Sequence, residues 1–554
     1  MSACLSEHLP LLASAPGGIQ KLRGLILELA VRGKLVPQDA NDEPASELLK
    51  RIAKEKARLM ATGKIRKDKP LAAVAEDEQP SALPSGWEWS RLAAVSLINP
   101  RNSAADSTIA SFVPMAMIGT GFDGAHSQEP RKWGEIKQGF THFAEGDIGV
   151  AKITPCFENS KACVFAKLQN GLGAGTTELH IVRPFAQTLV PRFVLAYLKA
   201  PMFLLVGETR MTGTAGQKRL PKGFLELNPF PLPPLAEQHR IVAKVDELMA
   251  LCDRLEAEQA DAANAHTTLV DTLLGTLAKS RDAAELAANW QRLSQHFDTL
   301  FSTEASLDAL KQSILQLAVM GKLVPQDPND EPASELLKRI AVEKKWFLKN
   351  EKYRGGTTVT PIPIDEAPAP APFNWAWVPF GEIMVSRDSE RIPVSKDERS
   401  TRAKFYDYYG ASGVIDKIDS YLFDKPLLLI GEDGANLVNR STPIAFIARG
   451  QYWVNNHAHV LDGISEGFLR FIELYINAID LKPYVTGTAQ PKMNQAKMNS
   501  IPIALPPESE QRRIVAKVDE LMALCDRLKS DLAESRTRQA RLARTLIESA
   551  LKAA

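Results

Sequence analysis

Residues 240–255 of this chain recur without a change as residues 513–528. In the first copy Ile241, Val245, Leu248, Cys252 and Leu255 step by four, three, four and three. That is the a/d stripe of a helix that buries one narrow face against another helix. The register carries on through Gln259, Ala262, His266, Leu269 and Leu273, and in the second copy through Leu532, Ser535, Gln539, Leu542 and Leu546. Two struts are expected, one to about residue 279 and one to the C-terminus, each of roughly 40 residues and about 60 Å. Two such stripes in one chain predict an internal coiled-coil pair.

A second repeat precedes each strut. Residues 30–53 return as 318–341 with two differences, Arg32/Met320 and Ala40/Pro328. Each copy reads as helix, break, helix. Leu22, Ile26 and Leu29 form a stripe that stops at Gly33, a residue suited to a helix C-terminus. Pro37 blocks continuation, and Asn41-Asp42-Glu43-Pro44 predicts a new helix with a capping carboxylate and a proline in its first turn. The basic run 50–69 and its echo at Lys344, Lys345, Lys349, Lys352 and Arg354 fit either a solvated helix end or a phosphate-contacting arm. Residues 72–82 and 361–372 read as linkers.

Both halves then start a domain with P-x-x-W-x-W, at 84–89 and 372–377. Tryptophans two apart share one face of a strand, which predicts a core seed, with base stacking as the lesser alternative. From there to about Pro234 and Pro507 the halves diverge, although both mix β-branched runs (148–153, 427–430, 445–447) with one amphipathic helix (192–199, 466–477). Similarity returns in T-G-T-A-G-Q-K (212–218) against T-G-T-A-Q-P-K (486–492), then in proline-rich exits. The expected division is 1–83, helical arm and basic linker; 84–235, first variable domain; 236–371, strut, arm and linker; 372–507, second variable domain; and 508–554, second strut. The fold class is α+β, with two mixed α/β domains separated by two long helices in an antiparallel pair. The first arm is expected to close on the second strut in a pseudo-two-fold ring.

At 554 residues the chain is too long for a single core, and a net charge of +1 excludes a uniformly basic polyanion binder. Five cysteines without a C-x-x-C pair point to reduced thiols and a cytoplasmic setting. No apolar run is long enough for a membrane span and no signal peptide is evident. Chemistry is equally sparse. Asn228-Pro-Phe-Pro231 has the wrong order for an amino-methyltransferase motif, and no glycine-rich cofactor loop accompanies it. No G-x-x-x-x-G-K-[ST] loop is present. His457 and His459 lack a third metal ligand, and His180 reads as structural. No catalytic residue, metal or cofactor is expected in this chain.

The L-A-V-x-G-K-L-V-P-Q arms, the P-x-x-W-x-W starts, the T-G-T-A loops and the P-P-x-x-E-Q-x-R-I-V-x-K-V-D-E-L struts together resemble the specificity subunit of type I restriction–modification enzymes. The resemblance implies two target-recognition domains, each reading one half of a bipartite, non-palindromic site on double-stranded DNA. It implies helical repeats that set the spacing and dock two methyltransferase (modification) subunits, joined by restriction/translocase subunits. S-adenosylmethionine, ATP and Mg would then sit on those partners. The duplicated outer residues Lys244, Asp246, Glu247, Asp253 and Arg254 fit such docking, or else a recent duplication.

Candidate DNA-binding residues follow from chemistry and from the loop the resemblance places at DNA. They are Arg210, Thr212, Gln217, Lys218 and Arg219 in the first domain, with Thr486, Gln490, Lys492 and Asn494 as counterparts. Lys152, Thr154, Asn159 and Lys161 form a second cluster in a G-D-I-x-x-x-K-x-x-P segment; the second domain departs from that pattern and offers Asn436 and Arg440. Lys404 and Tyr406 combine base and aromatic, with an alternating strand as the alternative. Two other classes compete: a self-contained DNA methyltransferase or nuclease, and a coiled-coil protein adaptor.

Overall fold

The structure is a computed structural model that describes residues 12–63, 65, 71–185, 188–214, 216–350, 359–363, 365–487 and 490–553. Cys4, Lys64, Arg66, Lys67, Lys69, Ala215, Lys352, Arg354, Thr488 and Ala489 lie outside the described residues. The chain divides into two units, 1–262 with 535–554, and 263–534.

In the first unit, strands Glu88–Arg91 and Pro229–Leu232 pair antiparallel and bring the two ends of the variable domain together. Inside lie two four-stranded sheets. One has the order Ser96–Ile98, Leu179–Pro184, Ile148–Ala151, Ala162–Val164. The other runs Glu129–Lys132, Ile109–Val113, Leu172–Gly175, Thr141–Ala144, with its middle pair parallel. The second unit repeats the plan where its sequence does not. Ala376–Pro379 pairs with Pro502–Leu505, and a four-stranded sheet runs Val385–Ser386, Ala458–Asp462, Leu427–Gly431, Ala445–Ala448. Its other sheet has three strands, Gly413–Ile418, Tyr406–Gly410, Tyr452–Val454.

Only the first tryptophan of each pair is a core seed. Trp87 and Trp375 are buried, and their indole N–H groups donate to Glu237 and Glu510 at 2.9 Å each. Burial pushes both carboxyl groups above the ordinary glutamate range. Trp89 and Trp377 are partly exposed; Trp87 and Trp375 precede the strands Glu88–Arg91 and Ala376–Pro379, so strand alternation does not tie the two members of a pair to one face. Trp377 instead donates to the Ala369 carbonyl at 2.8 Å, so the proline-rich linker lies along the domain. Each buried indole packs edge-on against a helix aromatic, Phe193 at 6.2 Å and Phe471 at 6.5 Å. One turn on, Tyr197 and Tyr475 donate to the Pro229 and Pro502 carbonyls.

The long helices are Leu235–Ala278 and Glu508–Ala553. Ile241, Val245, Met249 and Cys252 are buried in the first, with Met249 in place of the expected Leu248. Farther along, Val270, Leu274 and Leu277 are buried, whereas Leu269 is half exposed; Ala543 likewise replaces Leu542. Residues 256–265 are all exposed or nearly so, which lets the register drift by one position between the two dry stretches. In each unit the beginning of one long helix shares a core with the end of the other. Cys252 clusters with Ala543, and Val270 and Leu274 with Val518 and Cys525. An antiparallel sense requires this pairing.

The first arm shares a core with Ala543, Leu546 and Ile547 near the end of the second strut, as the expected closure requires, and only the capping expectation is corrected. Each arm is clamped to the strut of its own repeat. Asp42 does not cap the helix Ala45–Ala61, whose N-cap is Pro44; it pairs with Arg240 at 2.5 Å, as Asp330 does with Arg513 at 2.6 Å. Arg23 reaches Asp253 at 2.6 Å, and Lys311 reaches Asp526. Arg192 and Arg470, from the variable domains, take Asp246 and Asp519 at 2.5 and 2.6 Å. Partly exposed pairs of this kind contribute about 0–1 kcal/mol each, so they set alignment more than stability. They also account for the duplication of Asp246 and Asp253 without any external partner.

Gly33 and Gly321 explain why both arms stop where they do. Both have positive φ, 65° and 67°, and a Cβ at Gly33 would come within 2.5 Å of Pro84 and 2.8 Å of Trp87. At Gly321 the equivalent contacts are Pro372 at 2.8 Å and Trp375 at 3.1 Å. The domain start thus packs directly on the bend of its arm. Gly33→Ala should cost about 1–3 kcal/mol through backbone strain and overpacking. Hydrogen exchange should then accelerate in helices Gly18–Val31 and Ala45–Ala61, and unchanged protection there would refute this joint.

Candidate nucleic-acid interface

In the first unit the strand Ile148–Ala151 continues beyond its sheet. The Lys152 N–H donates to Glu178 O at 3.0 Å, and Lys152 O accepts from Leu220 N at 2.7 Å. Thr154 N donates to Lys218 O at 3.0 Å, and Lys218 N returns a bond to Thr154 Oγ1 at 3.2 Å. A tight hairpin is thereby docked on the strand. Its neck is Thr212 with Arg219, joined by two backbone bonds of 3.0 and 2.8 Å, and Gly213 at φ 132° makes the turn out of it. The structure therefore brings the 152–154 segment and the 212–219 loop, distant in sequence, into one surface.

The second unit has the same construction. Glu432 N donates to His457 O at 2.8 Å, Met493 N to Glu432 O at 2.8 Å, and Gly434 N to Pro491 O at 3.0 Å. Thr486 and Lys492 close the neck with two bonds of 2.8 Å. The backbone corrects the sequence alignment by one position. Lys492 is the counterpart of Arg219, and Pro491 that of Lys218, because the second hairpin is one residue shorter.

Comparison with known proteins agrees with this architecture. The family described as type I restriction modification DNA specificity domain matches residues 372–535. The EcoEI specificity subunit of Escherichia coli, from a type I restriction enzyme, is 46% identical over 559 residues, covering 96% of this chain and 94% of its own. The EcoAI specificity subunit of the same organism is also 46% identical, with the same coverage. The chain belongs to the specificity subunits of type I restriction enzymes. A solved chain from work on assembly and conformational transition of the type I R-M system shares the fold, with TM-score 0.52 at 17% identity over 85% of this chain and 99% of that one.

The candidate residues of this specificity subunit differ in how free they are. Gln217 and Lys218 are exposed on the hairpin, as are Arg210 at the end of helix Pro201–Arg210 and Gln490 in the second hairpin. Arg219 is tied to Glu178 by a fork of 2.9 and 3.0 Å. Lys492 approaches Glu432 at 3.2 Å while staying half exposed. Asn159 is exposed on the turn after the strand, and Lys161 donates to Met115 O at 3.1 Å. That turn is held from beneath by Lys199, buried, which donates to Ser160 O and Thr120 O at 2.7 and 3.0 Å. Desolvation lowers the Lys199 pKa to about 8.

Other candidates are occupied or elsewhere. Asn494 caps the helix Gln495–Asn499 through Lys497 N, and Asn436 is bonded to Ser441 and Thr442 within its own loop. Arg440 donates to the carbonyls of Ile476 and Ile479 at the end of a helix, and burial lowers its pKa. Lys404 spends its donors on Arg399 O, Asp416 and Lys417 O. It lies just before Tyr406, which stacks edge-on against Tyr421 and begins a strand of the separate three-stranded sheet. Asn228 is a structural residue bonded to the Tyr197 hydroxyl. Among the described residues no group of three His, Cys, Asp or Glu is placed to hold a metal, and no helix is long and apolar enough to cross a membrane.

Sequence reading passed over Glu178, Glu432 and Asp433, which lie beneath or beside the hairpins, and undervalued two histidines. His180 Nε2 and His459 Nε2 each meet the carbonyl just after the hairpin, Leu220 O and Met493 O, at 2.9 Å. The same tether is built with two charge states. His180 is buried, which lowers its pKa, and its Nδ1 accepts from the Asn99 amide at 3.3 Å. At His459 burial opposes charge, but the Asp388 carboxylate 2.6 Å from Nδ1, with help from Glu432, raises the pKa. Acceptors on both sides require both ring nitrogens to carry protons.

The consequences for pH are opposite. The contribution of charged His459 is fully present below its unfolded pKa of 6.5 and is lost as pH rises through the raised folded value. That of neutral His180 is present above 6.5 and is lost as pH falls toward the lowered folded value. His459→Gln should therefore speed exchange of the Met493 amide more at about pH 6 than at about pH 8. His180→Gln should do the reverse at Leu220. Equal pH dependence of the two, each against wild type at matched pH, would exclude the assignment.

Proposed function

We propose that each variable domain of this specificity subunit reads one half of a bipartite, non-palindromic site on double-stranded DNA, with its docked hairpin against the duplex. The observation that carries this is the contrast between frame and platform. Both domains present the same hairpin on the same strand extension, yet with different side chains on it, while the arms and struts around them are nearly identical. A scaffold that holds two unlike readers in like settings suits a target of two unlike halves, with the gap set by the struts. Lys218, Gln217 and Arg210 in the first domain, and Gln490 and Lys492 in the second, would supply phosphate and base-edge contacts.

Two modification subunits would dock on equivalent faces of the struts, with restriction/translocase subunits joining that core. With Asp246 and Asp253 accounted for internally, one duplicated outer stripe remains. It consists of Ala243, Glu247, Ala250 and Arg254, and of Ala516, Glu520, Ala523 and Arg527, exposed in both copies. Small residues there permit close approach of a partner backbone, and the two arginines have no partner within the described chain. S-adenosylmethionine, ATP and Mg would be bound by those partner subunits in the cytoplasm, and this chain would carry no catalysis of its own.

Lys218→Ala should weaken DNA binding about equally for all sequences and reduce the slope of log affinity against log salt by about 1. An unchanged slope removes the hairpin from the interface. Replacing residues 84–235 with the matching domain of a relative should change one half-site in mapped methylation and leave the other; a change in both halves sinks the modular reading. Arg254→Glu together with Arg527→Glu should abolish assembly with modification subunits, and each alone should reduce it from two copies to one by mass measurement. Methyl transfer by the chain alone would overturn the noncatalytic role.

A further inference from the structure

The shared backbone pattern lets the two platforms be compared position by position. Lys152 corresponds to Glu432, Ile153 to Asp433, Glu178 to His457 and Arg219 to Lys492, each pair fixed by the hydrogen bonds described above. Arg219 and Lys492 are alike in charge, whereas the other three pairs differ in charge or polarity. Each platform nevertheless keeps one solvent-facing acid held by the side chain of a basic residue type. In the first it is Glu178 with Arg219, 25% and 46% exposed; in the second it is Asp433 with His457 at 2.7 Å, 33% and 51% exposed.

A carboxylate beside a polyanion opposes binding, so a surface built for affinity alone would omit it. In the first platform the Arg219 guanidinium offsets that charge and holds Glu178 well below the usual carboxylate range, ionised and acceptor-only. In the major groove the exocyclic amino groups of cytosine and adenine donate, whereas guanine O6 and N7 and thymine O4 repel an acceptor. The Glu178 backbone is fixed at both ends, its N–H donating to Thr176 Oγ1 at 3.2 Å and its carbonyl accepting from Lys152.

We propose that Glu178 is a base-reading residue of the first domain, accepting a hydrogen bond from the amino group of a cytosine or adenine while Arg219 positions it. Asp433, held by His457, has the corresponding role in the second domain. This rests on the reading of the variable domains as DNA readers.

The test uses the full chain assembled with its modification subunits and maps methylated sites by sequencing. Glu178→Ala should lower discrimination at one base pair of the first half-site by about 10- to 100-fold. Glu178→Gln should shift that position toward adenine, which an amide can address in bidentate fashion. The base lost identifies which amino group was read. Asp433→Asn should alter only the other half-site, and in every variant the untouched half-site serves as the control for folding. A consensus unchanged in Glu178→Ala, with methylation uniformly lower or as it was, or a complete loss of methylation in that variant, overturns the proposal and leaves Glu178 as a brace for Arg219. Failure of the underlying reading looks different: the unmutated complex would then show no preferred sequence, or exchange of the whole first domain would leave both half-sites as they were.

Discussion

A buried hydrogen bond from tryptophan to glutamate, made once in each repeat, ties the parts of this protein together. Trp87 to Glu237 and Trp375 to Glu510 join the first residues of a variable domain to the first turn of the helix that follows it. Each indole also lies over the glycine bend of the arm and against an aromatic of the domain helix. Arm, domain and strut therefore meet at one side chain. Losing either partner would leave a buried polar group without a bond, which costs about 1–3 kcal/mol. The ion pairs around this joint add direction to a connection whose strength comes from packing.

The same frame supports two different electrostatic solutions beneath the hairpins. The histidine tether works with a neutral ring where an asparagine donates to it, and with a charged ring where an aspartate receives it. The backbone geometry is preserved while the surrounding charges are rearranged, from Lys152 and Glu178 in one domain to Glu432 and His457 in the other. A platform that tolerates such exchange can vary the chemistry it offers without moving the strand that carries it.

Much of the frame was legible in the sequence because it is written twice. Gly33, Pro37 and the 240–255 stripe each mark an element that the structure contains. Helical periodicity did not reveal that Asp42 turns away from its own helix toward Arg240, since a capping motif and a long-range ion pair use the same residue types. Nor did it locate the register drift near Val270, where a solvated stretch relaxes the a/d rule. The shared sheet order of the variable domains was invisible for a different reason. Buried β-branched runs can be substituted freely within a conserved pairing pattern, so Leu427–Gly431 and Ile148–Ala151 occupy one role with little identity. At the candidate interface the hairpin was readable from its glycines, but Glu178 and Asp433 became visible only through the bonds that place them.

The strand pair that closes each variable domain has a genetic consequence. Glu88–Arg91 lies beside Pro229–Leu232, so a domain enters and leaves the frame at one point. Flanking stretches of near-identical sequence surround that point in both repeats. Homologous recombination across those stretches would exchange a whole reading cassette in frame, with its core intact and its Trp–Glu joint rebuilt from either copy. Diversity in what is recognised can then arise by shuffling finished domains, without any intermediate that has to refold around a half-changed interior.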